Sequence, residues 1–145
     1  MAELESPRQN HLLDTLPTAE YERLFPHLER VSMPLGEVIY ESGDELHYVY
    51  FPTTCIVSKL YVMENGASAE IAVVGNEGII GIPLFMGGRT MPNRAVVQSA
   101  GYAYRMRRHQ FMQEFNRYGG RRSGALHHLL LRYTQALMTQ MSQTA

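Results

Sequence analysis

Residues 78 to 101 read GIIGIPLFMGGRTMPNRAVVQSAG. Glycines flank an apolar turn, and Arg94 stands at the head of an apolar run. Glycine lets a backbone approach an anion closely, and N–H groups at the start of a short helix face such a group. Arginine adds a charge-assisted, bidentate contact to phosphate or carboxylate. The stretch is therefore a candidate phosphate cradle, or else a well-punctuated corner of a β-domain. Other chemistry is sparse. The six histidines (11, 27, 47, 109, 127 and 128) form no H-x-H or H-x-x-x-H pair, and neighbouring His127 and His128 point to different helix sectors. One cysteine, Cys55, supports neither a disulfide framework nor a multi-cysteine metal or iron–sulfur site. It reads as a small apolar residue on a strand. No G-x-S-x-G element or paired carboxylates suggest catalysis, so no enzyme activity, cofactor or metal is expected.

The elements that must hold the cradle follow from periodicity. Asn10 caps a first helix with Leu12, Leu13 and Leu16 on its apolar side. Pro17 interrupts, and Thr18 caps a second short helix to Leu24 and Phe25. From about Arg30 the chain is rich in β-branched and aromatic residues and is cut by Gly36, Gly43-Asp44, Pro52 and Asn65-Gly66. Short strands with regular turns argue an antiparallel sandwich or barrel. Asn65-Gly66 suggests a two-residue type I′ hairpin, whose central positions both need positive φ. RAVVQSA and YAYRM read as two further strands, and Glu41, Asp44 and Glu45 as solvated loop charges. A helix then carries Phe111, Met112 and Phe115. The order helix, consecutive strands, helix predicts an α+β domain with one β-core and peripheral helices.

The last segment, SGALHHLLLRYTQALMTQMSQTA, has no internal proline. Leu126, Leu130, Tyr133, Leu137 and Met141 recur at steps of three or four, a seam of just over two heptads. Leu129, Leu131 and Met138 widen the apolar surface. Such a helix packs on its own domain, or packs one face there and the other on a symmetry mate in a twofold dimer.

The run of short strands, the GIIGIPLF turn, the RAVV strand and the terminal helix together resemble the cyclic-nucleotide-binding jelly roll. More specifically, the chain from about Asn10 onward is similar to the sensory half of Crp/Fnr-type bacterial transcription regulators. Their phosphate-binding cassette is written F-G-E-[LIV]-[AGS]-L, a gap, then R-[AST]-A-[TVW]-[VA]. The resemblance gives Gly81 the glycine role and Leu84, with Phe85 and Met86, the short helix. Arg94 or its neighbour takes the arginine role, and Ala95 and Val96 begin the next strand. Ile82 stands where a ribose-binding carboxylate is usual, and Pro83 removes a backbone donor. Counting back from the strand, Asn93 occupies the arginine position and Arg94 falls one residue late, a slip that turns a strand side chain to the other face. The resemblance thus implies a degenerate nucleotide pocket, filled by side chains such as Met86 and Met91 or open to an unidentified small anionic or nucleotide effector.

Composition sets the remaining expectations. The 145 residues carry 13 basic and 14 acidic side chains, so no global basic field exists to hold nucleic acid. The arginines at 105, 107, 108, 117, 121 and 122 read as solvated faces. The polar N-terminus has no signal-like apolar core, and no apolar run approaches the roughly 20 residues of a membrane span. A cytoplasmic chain is expected, with residues 1–122 as effector domain and 123–145 as a homodimerisation helix. DNA contact is expected only through a C-terminal winged helix-turn-helix, which such regulators carry after this helix and for which no residues remain here. Two alternatives stand beside the degenerate sensor: a functional cAMP/cGMP-binding domain, and a ligand-free heterodimerisation module.

Overall fold

Asn10 shows how the domain is tied together. The computed structural model describes residues 5–81, 90–117 and 124–144. Asn10 is fully buried and caps helix α1 (His11–Asp14), its Oδ1 accepting from the N–H groups of Leu12 and Leu13 at 3.1 and 3.2 Å. Its Nδ2 donates to the carbonyls of Pro52 (2.9 Å) and Gly78 (2.8 Å). Every polar group of this amide is thus satisfied, as a buried amide requires. Helix α2 (Thr18–Leu24) follows, and a 3-10 turn, Phe25–His27, leads into the strands. The residue expected to cap α2, Thr18, is instead its first helical residue. Pro17 holds the cap position, since its fixed φ suits a helix entry.

Seven named strands are found among the described residues. Strands β1 (Glu29–Met33), β3 (Tyr48–Pro52) and β7 (Gly101–Arg107) form one antiparallel sheet in the order β1-β7-β3. Strands β2 (Val38–Tyr40), β4 (Ile56–Val62), β5 (Ser68–Val74) and β6 (Arg94–Ser99) form the second, in the order β2-β6-β4-β5. Val49, Phe51 and Met106 from the first sheet join Val57, Ala95 and Val97 from the second in a single core. This is the expected jelly-roll α+β architecture. Two local expectations need correction. The β4–β5 loop has three residues, Glu64 to Gly66. Gly66 N–H donates to Met63 O, Met63 N–H donates to Ala67 O, and Gly66 alone has positive φ (86°). A type I turn closed by a left-handed glycine therefore replaces the type I′ hairpin, because Glu64 lengthens the loop by one residue. Cys55 is buried as expected but precedes β4 rather than lying on it.

Helices close the first sheet. Helix α3 (Arg108–Phe115) stacks Phe111 on Phe115 and places Phe111 6.3 Å from Phe51. Arg23 Nε of α2 pairs with Glu114 Oε2 at 3.1 Å. Helix α4 (Ala125–Thr144) starts beside Glu20, whose Oε2 accepts the Leu126 N–H at 2.9 Å. A carboxylate there satisfies one of the helix's orphan donors and complements the positive end of its dipole.

Candidate functional site

Both ends of the segment expected to form the cassette are pinned. At the near end, Ile80 exchanges two backbone hydrogen bonds with Tyr50 of β3 (3.0 and 2.9 Å). Gly81 has φ of +130°, and a Cβ there would stand 2.6 Å from Val49 Cγ1. Glycine is required at this point by both conformation and space. At the far end, Gly43 N–H donates to Met91 O (2.7 Å) and Met91 N–H donates to Asp44 O (2.9 Å). The Met91 side chain is buried in the core. Ile82 and Leu84, with Pro83, Phe85 and Met86, lie outside the described residues.

Strand β6 decides the place of the arginine. Ala95 and Val97 are buried, whereas Arg94 and Val96 are half-exposed, so the two pairs face opposite sides of the sheet. Arg94 Nε donates to Glu41 Oε1 at 2.6 Å on the outer side. Glu41 was expected to be a solvated loop charge, and it is the arginine's partner. Preceding Arg94, Asn93 accepts a 3.1 Å hydrogen bond at Oδ1 from Tyr40, whose buried phenol has its pKa raised by desolvation. Ala95 and Val96 are thus the strand residues expected, one facing inward and one outward.

The same inner surface carries a cation that the sequence did not single out. Across the four-stranded sheet, Tyr40 of β2 is opposite Ala95 of β6, Ala95 is opposite Lys59 of β4, and Lys59 is opposite Ala72 of β5. Paired residues share a face, so Lys59 lies on the side of Ala95, Val57 and Val97. It is 5% exposed. Burial pushes its ammonium pKa down to about 8 from the usual 10.5. Its neighbour Ser58 turns outward and donates to Glu70 Oε1 at 2.6 Å.

A groove of about 430 Å³ opens between Tyr40, the 44–47 loop, Tyr48 and Tyr50. Its carboxylates are engaged: Asp44 accepts from Glu41 N–H at 2.9 Å, and Glu45 pairs with Arg108 at 3.2 Å. The arginines of β7 are held as well, Arg105 by Glu29 at 2.6 Å and over the Tyr48 ring at 4.1 Å. Among the described residues no cluster of His, Cys, Asp and Glu could hold a metal ion, and no helix is long and apolar enough to cross a membrane.

With this geometry the comparisons with known proteins agree. Residues 30–118 match the family described as cyclic nucleotide-binding domain. The chain belongs to that family. No curated protein matches the sequence. Among solved structures, the chain is similar to the sensor domain of the transcriptional regulator DNR from Pseudomonas aeruginosa. The TM-score is 0.67 at 15% identity, covering 94% of this chain and 87% of that one. It is also similar to the Thermus thermophilus catabolite activator protein (TM-score 0.64, 18% identity), covering 96% of this chain and 59% of that one. A regulatory subunit of a cAMP-independent protein kinase A from Trypanosoma brucei gives a TM-score of 0.73 at 16% identity, with 94% and 48% covered. At these identities the likeness carries the fold alone.

In this cyclic nucleotide-binding domain, the terminal seam meets its own chain first. Leu126 and Leu130 of α4 are buried in the shared core, and the Tyr133 hydroxyl packs against Gly78. Tyr133 bonds the Ile79 backbone, while burial raises its phenol pKa to about 12. Leu131 is 42% exposed on another side of the helix. The side chains of Leu137 and Met141 lie outside the described residues. Sequence reasoning missed Asn10 as a tie to Gly78, Glu41 as the Arg94 partner, and Lys59. The available signal for Lys59 was its place two residues after Val57, on the strand's apolar side.

Proposed function

We propose that this chain is the non-enzymatic, effector-sensing domain of a Crp/Fnr-like transcription regulator, with a degenerate nucleotide pocket and a dimer interface on α4. The observation that carries the reading is the engagement of Arg94 by Glu41 on the outer face of β6, opposite Ala95 and Val97. A phosphate inside the roll then lacks the arginine contact. A hydrogen bond to a charged group contributes about 1.5–3 kcal/mol, so its loss weakens cyclic nucleotide binding on the order of ten- to a hundredfold. Signal transfer has a physical route in this reading. Gly78, just ahead of the cassette, touches Tyr133 of α4 and hydrogen-bonds Asn10. A ligand that prefers one arrangement of residues 78–81 therefore biases the seating of α4.

Calorimetric titration with cAMP and cGMP tests this reading. The expected result is no saturable heat at micromolar nucleotide. Micromolar binding that disappears in Arg94→Ala sinks it. That outcome would favour the second reading, a functional cyclic-nucleotide site, which the family match over residues 30–118 supports.

A further inference from the structure

The tip of the β4–β5 hairpin carries the one asparagine of this chain that is followed by glycine. Asn10, Asn76, Asn93 and Asn116 precede His11, Glu77, Arg94 and Arg117, whereas Asn65 precedes Gly66. Asparagine is a chemically labile side chain. Glycine has no Cβ to shield its amide nitrogen, so Gly66 N can approach the side-chain carbonyl of the residue before it. The turn brings that carbonyl over the Gly66 peptide. Asn65 Oδ1 accepts the Ala67 N–H at 3.0 Å, a contact two residues along the chain that folds the side chain back on its own backbone. The same donor draws electron density toward Oδ1, the direction in which charge moves when a nucleophile adds to Cγ. Glu64, Asn65, Gly66 and Ala67 are all exposed, so water reaches the amide. One contact opposes the reaction. Gly66 N–H donates to Met63 O at 3.0 Å, which ties up the attacking nitrogen while the turn is closed.

We propose that Asn65 is a site of spontaneous deamidation, gated by opening of the hairpin tip. Water is the only co-reactant. When the tip opens, the Gly66 N–H gives its proton to solvent base and the nitrogen attacks Asn65 Cγ. The new C–N bond closes a five-membered succinimide, the Cγ–Nδ2 bond breaks, and the amide nitrogen takes up a proton and leaves as ammonia. One water then opens the ring. Cleavage at Cγ leaves aspartate in the ordinary chain. Cleavage at the backbone carbonyl leaves isoaspartate, with the chain running through Cβ and Cγ. Either product places a second carboxylate beside Glu64. The isoaspartyl form also lengthens the backbone by one carbon between Met63 and Ala67. Those two residues close the hairpin, Met63 N–H donating to Ala67 O at 2.8 Å next to the paired Val62 and Ser68. The reaction therefore alters both the charge of the tip and the loop that sets the β4–β5 register, and it needs no ligand of the roll.

The test incubates the whole chain at mildly alkaline pH, where the amide proton is lost more readily, beside a synthetic peptide of residues 61–70. Both are followed by mass-spectrometric peptide mapping and by methyl transfer from an isoaspartyl methyltransferase. In the chain, the Asn65 peptide should convert to aspartate and isoaspartate with an equal release of ammonia. Peptides holding Asn10, Asn76, Asn93 and Asn116 should stay intact over the same time. A hairpin tip opens at small free-energy cost, so conversion in the folded chain should run roughly ten- to a hundredfold slower than in the free peptide. Urea below the global unfolding transition should bring the two rates together. Asn65 still intact after about a hundred half-times of the peptide overturns the site. Conversion at Asn76 as fast as at Asn65 overturns its assignment to the glycine neighbour. A folded chain that converts as fast as the peptide, with or without urea, overturns the gate. Every rate is read on the unmodified sequence, so no variant has to fold.

Discussion

Lys59 and Arg94 show how differently two cations on neighbouring strands are held. The Arg94–Glu41 pair is short, but its side chains are 35% and 47% exposed. Such pairs contribute about 0–1 kcal/mol, so Arg94→Ala should fold and serve as a clean binding probe. Lys59 is the opposite case, because burial lowers its pKa from 10.5 to about 8. Below pH 8 the lysine is protonated in both states, and the folded chain bears the full cost of a buried cation. Between pH 8 and 10.5 the folded chain releases the proton while the unfolded chain keeps it, so stability from this group rises with pH. Removing the charge in Lys59→Met should therefore stabilise the ligand-free domain most near pH 7, by about 3 kcal/mol at most. The gain should fade as the pH approaches 10. Cys55, pushed up to about 11 from 9.0, acts in the other direction above pH 9. It is common to both proteins and cancels in the difference. Denaturant midpoints at pH 7 and pH 10 check this, and a gain that grows with pH would refute it.

At the scale of elements, Asn10 does the most with one side chain. It caps α1 and fastens that helix to β3 and to the cassette's entry through Pro52 and Gly78. Asn10→Ala loses the cap and strands two buried carbonyls, so it should cost about 2–4 kcal/mol. Because Gly78 is one of those partners, amide exchange at residues 78–81 should quicken more than in the β4–β5 hairpin. Uniform quickening would mean that Asn10 acts only on global stability. Half of this role was legible in the sequence, since asparagine ahead of an apolar helix signals a cap. The long-range half was not, because nothing local marks residues 52 and 78 as partners. Strand β4 was obscured in another way. Val57, Ser58 and Lys59 are all buried, Ser58 beneath Glu70, so the alternation that would have exposed the inward lysine is blurred. The slip of Arg94 could be read by counting from Ala95, since strand register is a strict period of two. The hairpin turn misled because Asn-Gly names a two-residue loop, whereas Glu64 supplies a third loop residue.

For the whole molecule, the question is what remains of α4 for a partner. Leu126, Leu130 and Tyr133, three of the five residues expected to form a dimer seam, are spent against the core and Gly78. Leu131 remains exposed, with Leu129 half-buried beside it. A helix that packs one row on its own domain and offers another can couple a twofold interface to the pocket. In the proposed mechanism, the row touching Gly78 would report on the ligand and the outer row would meet a symmetry mate. The two rows should therefore respond differently to substitution. Leu130→Ala removes a fully buried side chain and should cost about 2–5 kcal/mol of stability with the mass of the assembly unchanged. Leu131→Glu places a charge on an exposed position and should leave the unfolding midpoint within about 0.5 kcal/mol of the wild type. In sedimentation it should turn a dimer into a monomer. A Leu131→Glu protein that sediments as the wild type does would place the dimer contact elsewhere, and a wild type that is monomeric at micromolar concentration would remove the dimer from the mechanism.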